Sequence, residues 1–313
     1  MTIDPAVTAW LLDGDPAVRW QTMRDLLGEP ADVVDAERVR VATEGWGARL
    51  LDLQGEDGQW DGGTYFPGDS AAAEEDGQPW TATAWTLQLL RLFGLPPDAP
   101  RAQRAVALVA ENSRWEHDGQ RFFDGEVEPC INGMALAVGA YFGQDVQTLA
   151  DRLLSEQLAD GGWNCQAEQG STRSSFHTTI AVLEGLLEVE RRSGGQTTEA
   201  RRRGEEYLLE RRLLRRASTG ELVDPDFSRA VFPPYWHYDV LRALDHLRAA
   251  GRTPDDRCHE AVAVVESAQT ADGRWLLQHP HPGRVHLTME TAGEPSRWNT
   301  LRALRVLAWA STG

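Results

Sequence analysis

The sequence predicts an all-α fold in which about six pairs of inner and outer helices close into an α/α toroid, an (α/α)6-like barrel spanning residues 1–313 as one domain. Three observations predict it. A turn of the form Gln, short acidic loop, Gly-x-Trp recurs along the chain; a Leu/Ala-rich helix follows each turn; and the helices between these carry a charged stripe.

The elements follow in order. A first inner helix begins near Asp15 and contains RWQTMRDLL (19–27). An outer helix, AERVRVATEGWGARLLDL (36–53), runs into the first turn, ARLLDLQGEDGQW (48–60). After a loop over 55–79 comes the inner helix PWTATAWTLQLLRLF (79–93). A degenerate turn, SRWEHDGQRFFDGE (113–126), precedes PCINGMALAVGAYF (129–142), and DRLLSEQLADGGW (151–163) precedes FHTTIAVLEGLLEV (176–189). The charged segment TEARRRGEEYLLERRLL (198–214) is outer and WHYDVLRALDHLRA (236–249) inner. AVVESAQTADGRW (263–275) then leads into RWNTLRALRVLAWA (297–310). The inner helices are apolar on nearly every side, as two-sided burial requires, whereas the outer ones keep one face for water. RFFDGEV and GRVHLTME have the alternation of short hairpins. In a closed ring the inner helices run parallel, so their N-termini gather at one mouth of the cavity.

Composition narrows the function. The net charge is −17, and all 31 basic residues are arginine. So acidic a chain repels phosphate backbones and anionic bilayers, which argues against nucleic acid as a partner. No apolar run has the length of an integral membrane segment, and the first residues lack the basic and apolar regions of a signal peptide, so the expected location is cytoplasmic. Three dispersed cysteines form no disulfide framework and read as free thiols or ligands. Nothing marks an obligate partner chain.

The Gln–Trp turns resemble the QW repeats of squalene cyclase and other class II terpene cyclases, and FHTTIAVLEGL is similar to the zinc-histidine helix of protein prenyltransferase β-subunits. The resemblance covers nearly the whole chain and implies the toroid. It also implies zinc as cofactor, with His177 as one ligand and Cys130, near the start of the preceding inner helix, as another. The aspartate ligand of that family has no matching position, and Cys165 stands as its replacement. The Asp-x-Asp-Asp acid motif of class II cyclases is absent, VDPDF (223–227) being the nearest approach.

On the toroid reading, Cys130, His177 and His237 open three consecutive inner helices, and Cys165 lies in the loop leading to the second. Thiolate and imidazole donors converging at one mouth suit tetrahedral zinc. Four ligands would close the metal and make it structural; three would leave a position for water or a substrate thiol. Each residue also has a plainer role. Cys130 after Pro129 and Cys165 behind Trp163 suit small buried side chains, His177 suits a helix cap, and His237 suits a hydrogen-bonded aromatic wall with Tyr235, Trp236 and Tyr238.

Asp239, Glu126 and Glu128 are the candidate acid–base groups, since a carboxylate beside a metal or an aromatic pocket can move a proton or orient a histidine. In HPHPGRVHLTME (279–290), Arg284, His286 and Glu290 alternate and would share one side of an extended segment. With Arg173, Arg297 and Arg302 they would form an anion pocket; an ordinary solvated hairpin is the alternative. Trp80, Trp236 and Trp298, at inner-helix starts, are candidates for holding an apolar chain or a cation, and packing of helices against turns is their other use. The expected activity is that of a zinc-containing terpene cyclase- or prenyltransferase-like enzyme on an apolar or isoprenoid-like small substrate, zinc serving as Lewis acid or thiolate activator. The alternatives are a thiol-addition enzyme resembling lanthionine cyclases, whose Cys-His-Gly signature is missing here, and a non-catalytic ligand- or partner-binding toroid with a structural zinc.

Overall fold

Three buried indoles explain how each recurring turn is built. The Nε1–H of Trp60 donates to Leu50 O at 2.6 Å, that of Trp163 to Leu153 O at 2.7 Å and that of Trp275 to Val265 O at 2.7 Å, each ten residues back on the preceding outer helix. The backbone N–H of each tryptophan donates to a threonine hydroxyl of the following inner segment: Thr83, Thr179 and Thr300, at 3.0–3.1 Å. The glutamines close the first two turns. Gln54 donates to Gly58 O and Ala105 O, and Gln157 to Gly161 O and Ala200 O. Each motif thus satisfies orphan carbonyls near a helix end while tying outer helix, turn and inner helix together. The degenerate copy is closed differently: Trp115 bonds to Phe122 O at 3.0 Å and stacks on the Phe122 ring.

The computed structural model describes residues 3–69 and 77–312, so part of the 55–79 loop lies outside the described residues. Among them the fold is all-α, and none of the helices is long and apolar enough to cross a membrane. β-Pairing is confined to single antiparallel pairs such as Arg114 with Arg121 and Arg215 with Leu222. The expected hairpins are therefore absent: residues Phe122–Asp124 form a 3-10 turn, and 283–290 is bent chain.

The chain divides into two compact units. The first comprises Met1–Arg38, Glu205–His281 and Thr288–Gly313; the second comprises Val39–Gly204 and Pro282–Leu287. In the first unit lie α1 (Pro5–Leu12), α2 (Pro16–Thr22), α3 (Ala31–Arg38), α11 (Val240–Ala249), α12 (His259–Ser267) and α13 (Arg297–Ala310). In the second lie α4 (Gly45–Asp52), α5 (Thr83–Phe93), α6 (Pro100–Asn112), α7 (Pro129–Tyr141), α8 (Gln147–Ser155) and α9 (Phe176–Ser193). α10 (Thr198–Glu210) contributes residues to both.

Burial alternates as the sequence predicts. α6, α8 and α12 bury one stripe, for example Leu149, Ala150 and Leu153 of α8. α5, α7 and α9 bury nearly every position of their cores. The predicted outer helix 36–53 is broken: α3 gives way to a 3-10 turn over Val39–Ala42, and α4 restarts at Gly45, whose φ of 65° suits glycine.

Two inner helices start later than predicted. α5 begins at Thr83, because Trp80 N–H bonds to Arg284 O and holds the preceding residues extended. α11 begins at Val240, capped by Asp239, whose Oδ1 accepts from Arg242 N at 2.7 Å. Trp80, Trp236 and His237 therefore lie in the approach to a helix rather than on its first turn.

The first unit is knit by Arg305 on α13. Its guanidinium binds Asp25, Gln21 and Asp245, from the segment after α2, from α2 and from α11. In the second unit, α7 and α9 meet backbone to backbone. A β-carbon on Gly133 would lie 2.6 Å from Ala181 C and Val182 N, and one on Gly185 would lie 2.6 Å from Gly133 O. Only glycine permits this approach.

Candidate metal and thiol site

That close approach sets the position of the thiols. Cys130 lies three residues before Gly133 on α7, and Thr178 three residues before Ala181 on α9, so the two helices meet again one turn nearer their N-termini. Cys165 enters from the loop after Trp163. Its Sγ stands 2.8 Å from Cys130 Sγ and 3.4 Å from Thr178 Oγ1. The Cys130 thiol donates to Glu128 Oε2 at 3.3 Å. Glu128, Cys130 and Cys165 present ligand atoms all within 4.8 Å of one another, the one such group among the described residues. Both thiols are half-buried and Glu128 is exposed.

The environment separates the two sulfurs electrically. The hydrogen bond with Cys165, burial, and the negative charges of Cys165 and Glu128 push Cys130 well above the ordinary thiol range. Hydrogen bonding with Cys130 and with Thr178 outweighs burial and lowers Cys165. Of the two, Cys165 is therefore the thiol that ionises more readily.

An aromatic wall adjoins the thiols. Tyr65 is pinned at both backbone groups: its N–H donates to Glu116 Oε1 at 2.8 Å, and its carbonyl accepts from Trp85 Nε1 at 3.0 Å. Its ring packs on Trp85 (4.8 Å between centroids) and Phe66 (4.9 Å), and Trp80 meets Trp85 edge-on at 5.0 Å. Burial, and then the charges of Cys130, Glu128 and Cys165, raise the Tyr65 phenol above its ordinary value, so it stays protonated beside them. Glu116 shapes this loop by accepting from three consecutive N–H groups, of Thr64, Tyr65 and Phe66.

The segment 282–287 is strapped onto the same unit. Arg284 pairs with Asp61, His286 Nε2 meets Thr81 O at 2.7 Å, and Trp80 Nε1 donates to Pro282 O at 2.9 Å. Burial lowers the His286 pKa.

The structure sorts the sequence candidates. Cys130, Cys165 and Glu128 come together. His177 is outside the group: with Thr178 turned toward Cys165, the preceding residue points about 100° away around the helix. His237, in the first unit, stacks between Trp236 and His281 at 3.6 and 3.4 Å between centroids, in the manner of the aromatic-wall alternative. The Glu126 carboxylate accepts from Glu128 N at 2.7 Å, which turns it into its own loop.

Arg284 and His286 belong to the second unit and Glu290 to the first. Glu290 instead caps α13, accepting from Ser296 Oγ at 2.5 Å and Trp298 N at 3.2 Å. Each arginine expected in the anion pocket has its own local surroundings. Arg297 donates to Trp10 O and covers the Trp10 ring, Arg302 donates to Val231 O, and Arg173 is exposed, its carbonyl accepting from Asn164. Trp298 stacks on Phe232 at 4.1 Å. Asp239 is wholly buried, and burial raises its pKa despite Arg302 and Arg242.

Sequence reasoning missed Tyr65, Thr178, Asp61 and Glu116. Thr178 was the most accessible of these, since it follows from the helical register of His177; the others sit in aperiodic loops.

No family model matches the chain, and no curated protein matches it. Solved structures with a similar trace include a protein from Actinoplanes, 16% identical over 95% of this chain and 90% of that one, with a TM-score of 0.47. Another is the type II terpene cyclase MstE from Scytonema. A variant of it bound to its substrate geranylgeranyl dihydroxybenzoate is 18% identical over 98% of this chain and 87% of that one, with a TM-score of 0.45. Its apo form is 18% identical over 98% and 88%, with a TM-score of 0.44.

Proposed function

We propose that the protein is a zinc-dependent, terpene cyclase- or prenyltransferase-like enzyme that acts on an apolar, isoprenoid-like small substrate, with Cys130, Cys165 and Glu128 as the metal-binding residues. One observation carries this reading: two thiols and a carboxylate from two separate segments, the start of α7 and the loop after Trp163, converge within 4.8 Å of one another. Two soft sulfurs and one oxygen form a donor set that suits zinc, and three protein donors leave a coordination position for a ligand. Zinc held there would supply Lewis-acid polarisation or activate a thiolate.

The surrounding side chains have their own tasks in this reading. Tyr65, Trp80 and Trp85 offer ring faces to an apolar chain and exclude water from it. The neutral Tyr65 phenol provides an O–H donor beside the sulfurs. Asp239, in the first unit, caps α11 and has no part in this reading.

The test is metal analysis of protein purified without added metal. About one zinc per chain is expected on the stoichiometry of a single donor set, with loss of the metal in Cys130→Ser and Cys165→Ser and retention in His237→Gln. Zinc-free wild-type protein, or zinc kept by both cysteine variants, would sink the reading.

A further inference from the structure

We infer that Cys130 and Cys165 form a reversible dithiol–disulfide couple, oxidised by low-molecular-weight disulfides of the glutathione class. The inference uses the same two sulfurs as the zinc reading but does not need the metal.

The separation of the sulfurs is the starting point. A disulfide joins sulfurs at about 2.05 Å, whereas two thiolates on a tetrahedral zinc with bonds of about 2.3 Å stand about 3.8 Å apart. The observed 2.8 Å falls between the two. Closing by about 0.75 Å makes the covalent bond, and opening by about 1 Å admits a metal. Both displacements are small enough for side-chain rotation, and Cys165 sits in the irregular chain between Trp163 and α9 rather than on a helix.

Access and selectivity point the same way. Both thiols are half-buried rather than sealed, so a small disulfide can reach them. Cys258, the remaining cysteine, is 2% exposed and lies in the first unit. It has no neighbouring thiol and serves as an internal control.

The chemistry balances without any other reagent. One sulfur of the pair attacks glutathione disulfide as a thiolate, forming a mixed disulfide and expelling one glutathione thiolate. The second sulfur then displaces the other glutathione and closes the Cys130–Cys165 bond. The protein loses two electrons and two protons, and the small disulfide gains them as two thiols. Because a sulfur in a disulfide is no longer a thiolate donor, oxidation and zinc binding exclude each other.

The experiment equilibrates the full-length protein, stripped of metal by a chelator, with mixtures of reduced and oxidised glutathione, then traps the thiols and measures intact mass. The expected product has lost two hydrogens, retains one reactive thiol on denaturation, and yields on digestion a peptide pair joined through Cys130 and Cys165. Cys130→Ser and Cys165→Ser should instead stop at the stable mono-glutathione adduct. Persistent adducts on the wild-type protein, or three free thiols at every redox ratio, would overturn the inference. Zinc content is measured separately on the reduced protein, so a chain that closes its disulfide yet never binds zinc refutes the metal reading alone. A chain that binds zinc but fails to close after chelation refutes this one alone.

Discussion

Gly133 and Ala181 lie so close that a β-carbon on the glycine would fall 2.6 Å from the carbonyl carbon of the alanine. This contact sets how near α7 comes to α9, and one turn away it determines how near Cys130 comes to Thr178 and Cys165. Gly133→Ala must push the helices apart. The expected loss is about 1–3 kcal/mol, the usual range for overpacking a tight core, measured by urea unfolding. The same variant should slow closure of the Cys130–Cys165 pair, whereas alanine at the exposed Gly195, whose β-position meets only Thr198 Oγ1 at 3.4 Å, should leave that pair unchanged.

Trp163 carries a second prediction. Its indole N–H holds Leu153 O at 2.7 Å inside the core. Trp163→Phe keeps an aromatic ring but leaves that carbonyl unpaired, and about 1–3 kcal/mol should be lost. Because Trp60 and Trp275 make the same bond at 2.6 and 2.7 Å, phenylalanine at those positions should cost a similar amount in thermal unfolding. A tenfold spread among the three equilibrium constants would show that the turns are not equivalent.

Arg305 tests the buried charge network. Burial alone would raise Asp25 and Asp245, but for Asp25 the Arg24 hydrogen bond and Arg305, and for Asp245 Arg305 and Arg248, hold both below the ordinary carboxylate value of 3.8. Groups depressed on folding add stability that is complete above 3.8 and is lost as pH falls through the folded values. Arg305→Met strands two buried carboxylates and should cost about 3–5 kcal/mol at neutral pH. Its acid limb should also move upward in pH, which unfolding followed by circular dichroism across the acid range would detect.

Glu290 has the opposite sign. Burial raises its pKa above the ordinary 4.5, although Ser296 and Trp298 N–H partly offset this. Its contribution is complete below 4.5 and is lost as pH rises through the folded value. Glu290→Gln removes that ionisation. The variant should match wild type at low pH and equal or exceed its stability at neutral pH; a neutral-pH loss beyond about 1 kcal/mol would mean that the charged cap of α13 outweighs its burial.

Much of the fold was readable because it rests on local periodicity. The inner helices α7, α9 and α13 begin within a residue of where the apolar pattern places them. The late starts of α5 and α11 were not readable, since they depend on Trp80 pairing with Arg284, 204 positions away along the chain, and on Asp239 taking the cap. At the thiol site, Cys130 and Cys165 were legible as a pair because both approach the start of an inner helix. His177 was a reasonable third partner by position, and the helical phase of Thr178 overruled it.

The amino-acid sequence by itself determined the all-α character and the alternation of buried and half-solvated helices, because both depend on residues within about one helical turn, and it marked the indole-anchored turns because their Gln and Gly-x-Trp recur at short spacing. Only the tertiary structure decided which polar side chains meet. Glu128 rather than His177 joins the two cysteines, Glu290 serves α13, and Tyr65 packs on Trp85 within electrostatic reach of the sulfurs. Side-chain direction depends on helix phase and on where distant backbones allow close approach, and no local pattern carries that information.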